Sequence, residues 1–193
     1  MSVLDDFKGA SIIGKIALIL LLVASFCVCI AFTCTGWGGE DAYSVSQKTY
    51  WGLWRRCVDT NVVSPCVNLD GTPNDWWAYT QAGSCFGFFG TLVACTLMIL
   101  YVFVGKCKKN GEMAIAAGII CIVTGILFLI ACIVFGVKWN KYYDDVYVAG
   151  ILTVDRYLSY AFGFAVVGAL LEIVSGVLCI IEAKKGGGTG ASG

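Results

Sequence analysis

The sequence predicts an all-α four-helix transmembrane bundle with a small extracellular antiparallel β-sheet. Three observations predict it. Charged residues make up 13% of the 193-residue chain and mean hydropathy is +0.82, whereas soluble domains carry about 25% charge. Four stretches, residues 16–39, 76–105, 113–137 and 157–181, contain one charged side chain between them, Glu172. Each exceeds the roughly 20 apolar residues that cross a bilayer, and in lipid such a segment satisfies its backbone as a helix. Finally, the long connection between the first two stretches holds Cys57 and Cys66 among aromatic and β-branched residues, a pattern that reads as short paired strands.

Taken in order, the spans cover about 12–35, 78–104, 113–137 and 158–181, joined by loops at about 36–77 and 138–157. The first span is too long for a signal peptide, follows Asp5 and Asp6, and lacks a small-residue cleavage site. In the second, Gly83, Gly87, Gly90 and Ala94 recur at i, i+4, i+7 and i+11, one helical face that lets a neighbouring helix approach closely. Residues 1–185 read as one tetraspan domain, and residues 186–193, rich in glycine, as a flexible tail or linker.

Orientation follows from Lys and Arg in short segments. Lys106, Lys108 and Lys109 lie between the second and third spans, Lys184 and Lys185 follow the fourth, and Lys8 and Lys15 precede or open the first. Both termini are therefore expected in the cytoplasm of a multi-pass plasma-membrane protein, with the two longer loops outside.

The eleven cysteines divide by compartment. Cys27, Cys29, Cys95, Cys121 and Cys132 read as small apolar packing residues. Cys34 and Cys85 lie near the outer ends of two spans, where a bridge between them stays open. Cys107 and Cys179, near the inner face, are candidates for palmitoylation. Cys57 and Cys66 lie in the oxidising compartment. Strands at Tyr50–Val58 and Asn61–Leu69, turning at Asp59-Thr60-Asn61, would bring the two together. A bridge there would staple the hairpin by about 3 kcal/mol in the chain-entropy model.

Several function classes are excluded. There is no His and no C-x-x-C, so the commonest general base and a dithiol redox pair are both missing; no enzyme activity and no cofactor are expected. Thirteen basic residues balance thirteen acidic ones, so there is no electrostatic footprint for nucleic acid.

The first outer loop reads Trp37, then Trp51-Gly52-Leu53-Trp54-Arg55-Arg56-Cys57, then Cys66. Trp37 is expected at the headgroup level, where amphipathic rings settle. Trp51 and Trp54, three apart in one expected strand, share a face only if Gly52 forms a bulge. This W…W-G-L-W-x-x-C…C arrangement in a four-span protein resembles the claudin signature and, more broadly, the claudin, peripheral myelin protein and epithelial membrane protein superfamily. Tetraspanins place their large cysteine-rich loop second, and connexin-like channels carry cysteines in both outer loops; neither order occurs here. The resemblance implies a sheet built from both loops, and Val146–Val154 is the expected contribution of the second. Two departures accompany it. Thr80-Gln81-Ala82 stands where claudins often carry Arg at the start of the second helix, and the chain ends in Gly rather than a PDZ-binding residue.

Glu172 is the exception to the apolar pattern. A carboxylate at mid-bilayer costs about 2.5–3.5 kcal/mol on insertion scales, so it is expected to face the bundle or a partner, with Thr124 or Ser25 as hydrogen-bond partner. An acid in the fourth helix resembles the branch of the superfamily that regulates calcium channels and AMPA receptors. Two functions follow from the resemblance. The first is a junction protein that assembles with copies of itself or other claudin-like chains in cis and trans, at cell–cell contacts, to form a paracellular barrier or pore. The second is an auxiliary subunit that binds an ion channel or receptor. In the first reading, charge selectivity is assigned to Arg55, Arg56, Asp59, Asp70 and Asp75. Five acids in that loop, these three with Glu40 and Asp41, against Lys48, Arg55 and Arg56 give a net of −2, a weak bias toward cations.

Overall fold

A computed structural model describes residues 7, 9–42, 47–60, 63–69, 74–104, 107, 110–141 and 154–187. Four helices carry the apolar stretches: α1 (Ile12–Thr33), α2 (Asp75–Phe103), α3 (Gly111–Lys141) and α4 (Tyr160–Gly187). All four are long and apolar enough to cross a membrane.

Local chemistry sets their ends. Ser11 caps α1, its Oγ accepting the Gly14 N–H at 3.0 Å. Cys34 turns extended after Thr33 while its N–H still donates to Ile30. Asn110 Oδ1 accepts the Glu112 N–H where α3 begins. Asp75 in the first turn of α2 and Lys184 and Lys185 in the last turn of α4 complement the helix dipoles.

The bundle closes α1–α4–α3–α2, with a thinner contact between α1 and α2. Gly83, Gly87 and Gly90 face α3: a Cβ on Gly83 would stand 2.6 Å from that of Ala131, and one on Gly87 2.7 Å from the Phe128 ring. Ala94 on the same face is fully buried. The small-residue face of α2 is thus used within the chain. A second close crossing joins α3 and α4 at Gly118 and Gly176, where a Cβ on either would lie 2.8 Å from the other's carbonyl oxygen.

At one end of the bundle stands a five-stranded antiparallel sheet: β1 (Gly38–Ala42), β2 (Gln47–Trp51), β3 (Arg55–Asp59), β4 (Cys66–Asn68) and β5 (Val154–Leu158), in the order β4-β3-β2-β1-β5. Four strands come from the α1–α2 connection. The fifth comes from the α3–α4 connection and pairs with β1, Glu40 opposite Arg156.

Several expectations change. The single strand expected at Tyr50–Val58 is the end of one strand, a tight turn, and a second strand: the Gly52 N–H donates to the Arg55 carbonyl at 2.8 Å. Gly52 is therefore a turn residue and not a bulge, and Trp51 and Trp54 lie on either side of a reversal. The strand from the second connection is Val154–Leu158; Val146 to Thr153 of the expected segment lie outside the described residues. The α3 helix runs past Val137 to Lys141, and α4 opens at Tyr160 and continues to Gly187, into the expected tail; residues 188–193 lie outside the described residues.

Candidate functional site

The sheet is fastened to the bundle by a junction of aromatic rings and backbone groups, and the Trp-Gly-Leu-Trp residues form its centre. Trp37 is fully buried within the protein. Its ring is edge-on to Phe135 at 5.0 Å, and its Nε1 donates to the Ala31 carbonyl at 2.6 Å, tying the strand-side chain back to the end of α1. The same residue's N–H donates to the Trp51 carbonyl, and its carbonyl accepts the Ser159 N–H just before α4. Gly52 packs so close to the end of α1 that a Cβ would stand 2.7 Å from the Cys34 carbonyl oxygen. Leu53 is buried, and its carbonyl accepts from Trp77 Nε1 at 3.1 Å and Gln81 Nε2 at 2.8 Å, both on α2. Trp54 Nε1 donates to Phe32 on α1 at 2.9 Å, with the two rings 5.2 Å apart and edge-on. Trp51 packs between Trp77 and Trp139, with the Arg56 guanidinium 5.0 Å over its ring.

The motif is thus a joint on which α1, α2, α4 and the sheet all converge. Gln81 supplies a donor to the turn at the position where the resemblance leads one to expect an arginine. Trp139, which was not singled out in the sequence, is buried in this aromatic core and stacks on Phe135 at 5.4 Å; the helical extension of α3 carries it there. A tryptophan one turn beyond an apolar run was the available signal.

Cys57 and Cys66 form a disulfide between directly opposed residues of β3 and β4, with Cα atoms 4.1 Å apart. Cys34 and Cys85 are free. Of the two palmitoylation candidates, Cys107 is half-buried, whereas Cys179 is wholly enclosed in the bundle.

The charged residues divide between the two faces of the sheet, because neighbours along a strand point oppositely. Arg55 and Asp59 are exposed, and Asp59 accepts from Ser64 Oγ at 2.8 Å. Arg56 lies on the other face over Trp51, and Asp75 is exposed at the start of α2; Asp70 lies outside the described residues. Among the described residues, the selectivity candidates thus divide between Arg55 and Asp59 on one face of the sheet, Arg56 on the other, and Asp75 on α2. Pairs that cross strands do: Lys48 and Asp41 meet at 3.8 Å, and Arg156 meets Glu40 at 3.4 Å with both side chains largely enclosed. Burial pushes the Glu40 carboxyl above its ordinary range, against the opposing pull of the Trp51 hydrogen bond and Arg156.

Glu172 is fully buried and faces the bundle interior, where Thr124 Oγ1 donates to its Oε1 at 2.6 Å. Ser25, the alternative partner, donates instead to the Leu21 carbonyl. A second enclosed acid, Glu182, accepts from Ser11 and Tyr101 at the opposite end of the bundle from the sheet. Glu182 follows directly on the fourth apolar stretch and was not singled out in the sequence.

No curated protein sequence matches this chain. The sequence profile of the PMP-22/EMP/MP20/Claudin family matches residues 10–179, taking in α1, α2, α3, the whole sheet and α4 as far as Cys179. The chain is a multi-pass membrane protein of the PMP-22/EMP/MP20/Claudin family.

Proposed function

We propose that the chain is a junctional protein of the plasma membrane, with both termini cytoplasmic and the sheet outside. Copies assemble side by side with one another or with other claudin-like chains, and the sheets meet those of the neighbouring cell to form a paracellular barrier or pore. The observation that carries this reading is the sheet itself. It is drawn from both loops, clasped by a disulfide, and held rigidly on the bundle by the tryptophan joint. Such a platform keeps a fixed surface facing its partners, which lowers the ordering cost of recognition. Lipid covers the apolar helix faces. Charge selectivity, where a pore forms, falls to Arg55 and Asp59 on the exposed face and to Asp70 and Asp75, with Arg56 acting from the enclosed face.

The second reading, an auxiliary subunit of an ion channel or receptor, drew on Glu172 as a partner-facing acid. Its inward orientation toward Thr124 favours the junction reading, which we place first. Co-culture of cells expressing a tagged chain with cells expressing a differently tagged chain tests it. Both tags concentrating at shared contacts supports assembly in trans. Uniform surface distribution, together with recovery of a channel subunit at fixed stoichiometry, contradicts it.

A further inference from the structure

At the end of the bundle opposite the sheet, three helices meet on one carboxylate. Glu182, near the end of α4, is 6% exposed. Its Oε2 accepts from the Ser11 hydroxyl at 2.5 Å, and its Oε1 from the Tyr101 hydroxyl of α2 at 3.1 Å. Ser11 is also the N-cap of α1, so one hydroxyl holds the Gly14 N–H and Glu182 together. The α1 backbone lies directly against the acid: a Cβ on Gly14 would stand 3.5 Å from Oε1. Phe7 packs on Phe103 at 6.1 Å beside this contact. Glu182 and Tyr101 are enclosed, whereas Ser11 is exposed.

We propose that Ser11, Glu182 and Tyr101 form a latch that fastens the first membrane-spanning helix to the second and last, and that it opens from the aqueous side through Ser11. The enclosed carboxylate accepts two hydroxyl donors from two other helices, so losing either weakens a charge-assisted bond. A negative group placed at position 11 opposes Glu182 directly and parts α1 from α4. Because an acidic side chain is itself a good N-cap, the opening comes from repulsion across the latch and not from loss of the helix start.

Cys179, one turn before Glu182 and fully buried, is a built-in reporter; Cys132, equally enclosed near the sheet end, is its control. The experiment follows alkylation of both thiols by N-ethylmaleimide in the folded, membrane-embedded chain, read by peptide mass spectrometry. Ser11→Asp is expected to raise the Cys179 rate about tenfold, the factor that losing a charge-assisted hydrogen bond allows, while Cys132 keeps its wild-type rate. Ser11→Thr, which retains the hydroxyl, is expected to behave as wild type. Ser11→Asp combined with Glu182→Gln is expected to restore the wild-type rate, since the amide can donate to the new carboxylate. An unchanged Cys179 rate in Ser11→Asp, a parallel rise at Cys132, or a double variant as open as the single one would each overturn the latch.

Discussion

Glu40 shows at the scale of one residue how burial and charge compete in this sheet. Enclosure raises its carboxyl above the ordinary range despite Trp51 and Arg156. A carboxyl raised in the folded state binds its proton more readily there than in the unfolded chain. Its contribution to stability is therefore fully present below the unfolded pKa and is lost as pH rises through the folded value. Lowering pH from about 7 toward about 4 should raise the melting temperature of wild type relative to Glu40→Gln, whose side chain does not titrate. Melts of both proteins in detergent check this, and a gap that widens the other way contradicts it. Trp37 makes a steric case. It is enclosed on all sides and bonded to Ala31, so Trp37→Ala should cost about 3–5 kcal/mol, read by denaturant titration.

At the scale of the elements, the crossing of α3 and α4 sets backbone directly against backbone. At Gly118 and Gly176 the two backbones approach until neither position has room for a methyl group. Gly118→Val or Gly176→Val should destabilise the bundle by about 1–3 kcal/mol through overpacking, whereas the same change at Gly163, which meets open space, should cost far less of this steric kind; thermal melts compare them. The sequence displays some of this packing and hides the rest. Spans and the small face of α2 are readable because hydropathy and helical period act along one strand of sequence. The Gly118–Gly176 contact depends on which two helices become neighbours, and no local pattern carries that. The turn at Gly52 was hidden for a related reason. The apolar run around it looks continuous, but the close approach of α1 at Cys34 selects a glycine and reverses the chain. The position of β5 depends on pairing with Gly38–Ala42, a partner more than a hundred residues away, so the strand fell later than the β-branched run suggested.

For the whole molecule, the joint at Trp37, Trp51, Leu53 and Trp54 fastens the sheet to the helices of the bundle. That motif was visible in the sequence, because its residue types and spacing are specific; its physical role was not, since Trp37 is covered by Phe135 and Phe162 from distant helices. The disulfide completes the platform at the far side. Cys57→Ser with Cys66→Ser should leave the four spans inserted while removing about 3 kcal/mol from the β3–β4 hairpin. Protease protection checks insertion, and hydrogen exchange at β4 should rise sharply. In the proposed function, this platform joins copies of the chain within and between membranes. Freeze-fracture of cells that express this chain and no other member of the family tests it most directly. Continuous intramembrane strands at cell contacts are the predicted result; dispersed particles, with no strands at contacts, would contradict it.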